Sequence, residues 1–214
     1  MTEPVVPRLT PESLSLAVLE LTGRDPDLAR IVAQYGDPPL WERPEGFVTL
    51  SRIILEQQVS LASAASLFSR LDREIEGGFN PDSVRALGTA GLQALGLTRQ
   101  KAAYLNSLAE QVASGALNLA NLSNVPDDEV TRRLMLIPGI GPWSSGIYLL
   151  MALLRPDAWP PGDLALHKAV EQVTGEKKMS RDAVDSVAER WRPWRAVAAR
   201  TLWNGYLGGM TRSG

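Results

Sequence analysis

The sequence has no cysteine, and only one histidine, His167, among its 214 residues. Without cysteine there can be no disulfide, iron–sulfur cluster or thiolate zinc site. One histidine excludes the common multi-histidine metal centres, so acid–base chemistry must fall mostly to Asp and Glu. No run reaches the roughly 18 apolar residues that a membrane-spanning helix needs. The opening MTEPVVPRLT lacks the basic-then-apolar pattern of a signal peptide. The expectation is a soluble, cytoplasmic protein with no membrane partner. Strand-type alternation and fixed-period repeats are also missing, which leaves an all-α chain.

What is present fits that class. Hydrophobic residues make up 44% of the chain, enough for a sizeable core. The net charge of −2 is unevenly spread: residues 1–166 hold 13 Lys and Arg against 19 Asp and Glu, whereas residues 167–214 hold 9 against 5. A basic C-terminal quarter can face phosphate, although asymmetries of this size are also common in proteins that bind no nucleic acid.

Helix starts are marked by capping residues, often followed by proline: Thr10-Pro11, Asp25-Pro26, Asn80-Pro81, Thr98 and Pro126-Asp127. Residues 36–46, rich in Gly and Pro, read as a loop. Apolar residues from Phe47 to Ile75 recur at helical spacing, with a break near Val59-Ser60. TRQKAAYLNSLAEQVASG is a clear amphipathic helix ending at Gly115. The segment DAWPPGD is a loop that Asp163 closes while opening the next helix. Ser180–Arg192 and Pro193–Gly205 supply the last helices.

The sharpest local motif is LIPGIGPW, residues 136–143, between two helical segments. Two glycines one residue apart permit backbone conformations that side chains obstruct. The second helix then starts near Pro142, and its first N–H groups can bind phosphate with help from the helix dipole. Gly139, Gly141, Trp143 and Ser144 are the phosphate-facing candidates. A tight helix–helix turn would use the same residue types.

The hairpin and the WPPGD loop ending at Asp163, taken together, resemble the helix-hairpin-helix (HhH-GPD) DNA glycosylase superfamily, and most of all its 3-methyladenine DNA glycosylase II group. ILEQQVS at 53–59, LGLTRQKAAYL at 95–105 and ERWRPWRAVAARTLW at 189–203 add to the likeness, which spans about residues 45–207. The resemblance implies two helical lobes flanking a cleft. Within a single domain over 1–214, one lobe is expected at about 1–45 plus 165–214 and the other at about 46–164. The roughly 45 residues ahead of the matching region leave no room for the extra N-terminal α/β domain that some members carry. The family's hairpin carbonyls hold a monovalent cation, which here implies Met135, Ile137 and Ile140 around a structural sodium or potassium ion. No cofactor is required.

The resemblance also distributes roles. Asp163 is the implied catalytic carboxylate; N-capping the helix that follows is its alternative role, and the two are compatible. Gln58 falls where the family places the wedge that fills the gap left by an extruded nucleotide; capping the helix break is the alternative for Gln57 or Gln58. Trp203 and Trp143 are the base-pocket candidates, because a cationic alkylated base is attracted to electron-rich rings. Relatives have a pocket tyrosine where this chain has Ile147, with Tyr148 adjacent, and both join the candidate pocket. Family members that also cut the strand carry a Schiff-base lysine in the second hairpin helix. Trp143 stands there, and the nearby Lys168 falls elsewhere. His167 is expected to pack, Glu56 to sit on a helix surface, and Trp191, Trp194, Arg192 and Arg195 to tie the last helices together.

These features imply a monomeric, monofunctional glycosylase acting on double-stranded DNA that contains alkylated bases. Its substrates would be 3-methyladenine and 7-methylguanine, with possible extension to 1-methyladenine, 3-methylcytosine and etheno adducts. The competing expectations are a non-catalytic damage-binding hairpin protein and a bifunctional glycosylase/lyase.

Overall fold

Most of the expected caps form. In the computed structural model, which describes residues 6–210, Thr10 caps α1 (Pro11–Arg24), Asp25 caps α2 (Pro26–Tyr35) and Ser60 caps α4 (Leu61–Glu74), which α3 (Phe47–Glu56) precedes. Asn80 opens α5 (Pro81–Ala94) and Thr98 opens α6 (Arg99–Ala113). Next come α7 (Asp127–Leu134) and α8 (Pro142–Met151). Asp163 caps α9 (Leu164–Thr174), Ser180 caps α10 (Arg181–Ala188), and α11 (Arg195–Leu207) follows. In each of the seven capped helices the cap side chain accepts a backbone N–H from the first turn, which would otherwise go unpaired. There is no strand among the described residues, and the fold is all-α. None of their helices is long and apolar enough to cross a membrane.

The chain divides into two compact units. Among the described residues the first is built on Arg43–Tyr148 and the second on Pro7–Glu42 with 149–210. The division falls after 148 rather than near 164, the boundary that the resemblance implies. Residues 149–164, Asp163 among them, therefore belong with the terminal helices. Hydrogen bonds account for this: Leu9 N donates to Leu154 O, Ala196 N donates to Pro156 O, and Arg195 pairs with Asp157.

In the first unit α6 packs on α5 and on α3, and α3 packs on α4. Leu50, Ile53 and Ile54 of α3, Leu71 of α4, Leu92 of α5 and Leu105 and Leu108 of α6 are fully buried. Phe79 joins the core, stacked on Phe47 at 5.6 Å and meeting Phe68 edge-on at 5.1 Å. α5 is kinked at Gly88, where φ is 65°, a conformation most side chains disfavour.

In the second unit α11 packs on α1, α2 and α9. Nearly every residue from Ala196 to Gly205 is buried, as expected of a helix with small or apolar residues on all sides. Asp25 is nearly buried and does two jobs. Its Oδ1 caps α2 through Asp27 N and Leu28 N, and its Oδ2 accepts Trp191 Nε1 at 2.7 Å and pairs with Arg190 at 3.0 Å. Trp194 donates to Glu20 at 2.8 Å, and Arg192 and Arg195 engage Asp157 and Glu189. These four residues do tie the last helices together.

Candidate active site

The hairpin lies in the first unit. α7 stops at Leu134, and the chain turns through Met135–Gly141 into α8. Ile137 and Ile140 are buried and anchor the turn, with Ile140 N donating to Ile137 O at 3.0 Å. Leu136 stays 68% exposed at the tip. The two glycines serve different ends. Gly139 has φ 86°, and a Cβ there would come within 2.1 Å of the Tyr104 ring, so its bareness meets a packing need. A Cβ on Gly141 would meet nothing within 4 Å, leaving that backbone open to a ligand. Pro142 has no N–H, and Ser145 N bonds back to Gly141 O at 3.0 Å. The first turn of α8 thus opens on the bare glycine.

Gln57 holds this hairpin from outside. Its Nε2 donates to Gly139 O at 2.7 Å and to Ser144 Oγ at 3.0 Å. Ser144 is buried, and its hydroxyl is engaged by Gln57. Lys101 braces the same place: its Nζ donates to Leu55 O at 2.7 Å and to Gln57 O at 2.9 Å, at the C-terminal end of α3 where a cation is favoured. Burial pushes the Lys101 ammonium below its ordinary pKa. With Gln57 turned to the hairpin, Gln58 is the exposed residue, at φ 58°. A non-glycine residue held in that region is a strained position of the kind that gathers at functional sites. Glu56 is not a free helix-surface group, because Arg43 pairs with it at 2.9 Å and its side chain is only 10% exposed.

Two expected pocket residues are buried. Tyr148 is fully buried, and its hydroxyl accepts Gly46 N–H at 2.9 Å, which ties α8 to the start of α3. Burial pushes its pKa up to about 12. Ile147 is buried as well. Both are buried residues of the first unit. Trp143 is partly exposed in the first turn of α8.

The carboxylate lies in the second unit. The loop before it is pinned at several points: Asp157 to Arg195, Trp159 Nε1 to Asp185 at 2.8 Å, and the Trp159 ring to Trp191 at 5.8 Å. Asp163 then caps α9, its Oδ1 accepting Leu166 N–H at 2.9 Å. The same oxygen accepts Trp203 Nε1–H at 3.1 Å. Trp203 is only 8% exposed and meets Trp41 edge-to-face at 6.3 Å, with an interplanar angle of 69°. The His167 ring faces Glu171, one turn further along α9, at 3.6 Å and is partly buried, in keeping with a packing role.

Sequence reasoning missed Trp41, Lys101 and Arg200, and it offered Gln57 only as a cap of the helix break. Trp41 sits in the Gly/Pro-rich loop, and Gln57 and Lys101 sit inside recognised segments with nothing to mark their partners. Arg200 is fully buried in α11, and its guanidinium donates to Leu40 O, Ala196 O and Leu150 O at 2.8, 3.1 and 2.7 Å. Desolvation lowers its pKa to about 10.

A family model described as HhH-GPD superfamily base excision DNA repair protein matches residues 51–194. The chain is 27% identical over 198 residues to DNA-3-methyladenine glycosylase 1 of Schizosaccharomyces pombe, covering 89% of this chain and 87% of that protein. It is 28% identical over 162 residues to DNA-3-methyladenine glycosylase 2 of Escherichia coli, covering 71% of this chain and 55% of that protein. The solved structure of the S. pombe 3-methyladenine DNA glycosylase in complex with abasic DNA matches with a TM-score of 0.83 at 26% identity, covering 93% of this chain and 99% of that one. Relatives from Bacillus subtilis and Mycobacterium tuberculosis are longer, and the chain spans 64% and 39% of their lengths. The family model runs from α3 through the hairpin and Asp163 to Trp194, and the chain belongs to the HhH-GPD superfamily of base excision DNA repair proteins.

Proposed function

We propose that this chain is a monofunctional DNA glycosylase of base excision repair, which hydrolyses the N-glycosidic bond of N-alkylated purines such as 3-methyladenine and 7-methylguanine and leaves an abasic site. The observation that carries the reading is the Asp163 carboxylate, fixed by two N–H donors on one oxygen beside an indole pair. The names of the S. pombe and E. coli relatives support the substrate class.

The hairpin would grip the phosphodiester backbone without reading sequence, and Gln58 would occupy the gap left by the extruded nucleotide. When the C1′–N bond breaks, its electron pair goes to the base, which leaves neutral if it began cationic, and positive charge develops on the sugar. Asp163 stabilises that charge electrostatically. Water then adds its oxygen to C1′ and releases a proton, completing hydrolysis. No covalent enzyme intermediate is needed, and α8 contains no lysine to form a Schiff base. The carbonyls of Met135, Ile137 and Ile140, in the turn following α7, are the donor type that a sodium or potassium ion takes, and such an ion would stiffen the hairpin. The enzyme would act as a monomer on cytoplasmic double-stranded DNA.

The test is to incubate methylated duplex DNA with wild type and with Asp163→Asn. Wild type should release 3-methyladenine and 7-methylguanine, and the strand should break only after alkali. Asp163→Asn should slow release by about 10²-fold or more, and borohydride should trap no adduct. No base released by the wild type would overturn the reading, and undiminished release by Asp163→Asn would overturn the role of the carboxylate.

A further inference from the structure

The indole that family resemblance assigns to base stacking, Trp203, has little face to offer. It is 8% exposed, and its N–H is committed to Asp163 Oδ1. Trp41, which meets it edge-to-face, is partly exposed. Trp41 also has φ 47°, a genuine outlier for a bulky side chain, and such strain persists only where the surroundings impose it. Here they do. The carbonyl of the preceding residue, Leu40, accepts Arg200 Nε at 2.8 Å, and the same guanidinium is anchored on Ala196 O and Leu150 O. A fully buried cation, fixed to α11 and to the end of α8, clamps the turn that presents Trp41.

The geometry points to Trp41 as the residue that recognises the positive charge of the alkylated base, with Trp203 as a positioning residue for Asp163. This inference rests on the glycosylase reading. Its kinetic signature follows from where the charge goes. The base is cationic when bound and becomes neutral as the bond breaks, so a cation–π contact is strongest before the transition state. Trp41 therefore contributes to binding the extruded base rather than to the rate of cleavage.

The experiment is single-turnover release of 7-methylguanine from a defined duplex, with enzyme concentration varied to separate half-saturation from maximal rate. Trp41→Leu should raise the half-saturating concentration about tenfold, within the range expected for a desolvated cation–π contact, with little loss of maximal rate. Trp41→Phe, which keeps a ring, should recover most of the affinity. Affinity for undamaged duplex should not change. If Trp41→Leu melts at a lower temperature, a series of increasingly fluorinated tryptophans placed at position 41 decides instead: half-saturation should worsen stepwise as the ring loses electron density. An unaltered Trp41→Leu enzyme, a Trp41→Phe no better than Trp41→Leu, an equal loss on undamaged duplex, or a flat fluorination series would each overturn the assignment. Any of these in an active wild type leaves the glycosylase reading standing, whereas a wild type that releases no base removes both.

Discussion

Replacing Trp203 with Phe keeps most of an almost fully buried aromatic body and removes one N–H. That N–H donates to Asp163 Oδ1 at 3.1 Å, and Leu166 N–H donates to the same oxygen at 2.9 Å. A hydrogen bond to a charged group contributes about 1.5–3 kcal/mol. The indole contact is the longer of the two and the cap remains, so the lower figure applies. If the bond serves to aim the carboxylate, its loss slows cleavage by about tenfold. Asp163→Asn removes the charge itself and should cost far more. The decisive variant carries both changes. If Trp203 acts only through Asp163, Trp203→Phe has nothing left to misalign, and the double variant should be no slower than Asp163→Asn alone. The assay is the single-turnover maximal rate of 7-methylguanine release, read above spontaneous loss. A tenfold effect of Trp203→Phe that persists in the Asp163→Asn background would refute the reasoning and assign Trp203 a direct contact with the base.

The two hairpin glycines should separate in the same way. Gly139→Ala forces a side chain into φ 86° and against Tyr104, and should lower stability by about 2–4 kcal/mol, seen as a fall in melting temperature. Gly141→Ala, with open space around its Cβ, should melt like wild type but bind duplex DNA more weakly, measured by fluorescence anisotropy at fixed salt. Equal melting temperatures for the two variants would contradict the packing argument. Tyr148 gives a pH test. Its folded pKa is raised to about 12, so its contribution is complete below about pH 10 and is lost as pH rises through that window. Tyr148→Phe leaves Gly46 N–H without its partner, which should cost about 1–3 kcal/mol at neutral pH. The stability gap between wild type and Tyr148→Phe in urea should therefore shrink between pH 10 and 12, and a constant gap would rule out the buried hydroxyl as its source.

How far the sequence foretells this arrangement depends on the range of each interaction. Thr10, Asp25, Asn80, Thr98 and Asp163 cap the helices that the sequence marks them to open, because a cap is satisfied by donors two or three residues away. The hairpin and the absence of lysine in α8 are legible for the same local reason. The anchoring of Tyr148 is not, because its hydroxyl partner is Gly46, 102 residues away. The Gly88 kink and the 3₁₀ turn at Leu119–Asn124 are too short to give a periodic signal of their own. Trp41 lies in a segment whose composition says only loop. Its importance comes from Arg200 and Trp203, which are about 160 residues further along the chain.

On the proposed reading, capping and catalysis, compatible roles for Asp163 at the level of sequence, become one requirement. A carboxylate that must stabilise charge at a single sugar carbon has to be held in one orientation before the substrate arrives, since orienting it afterwards would cost part of the stabilisation. The cap bond from Leu166 N–H provides that restraint along α9, and the Trp203 N–H on the same oxygen provides a second from α11. The pinned 157–162 loop delivers the residue to this position, and the helix N-terminus favours its negative charge. On the proposed reading, an aspartate at the start of a helix is therefore also the device that holds the carboxylate rigid for the chemistry.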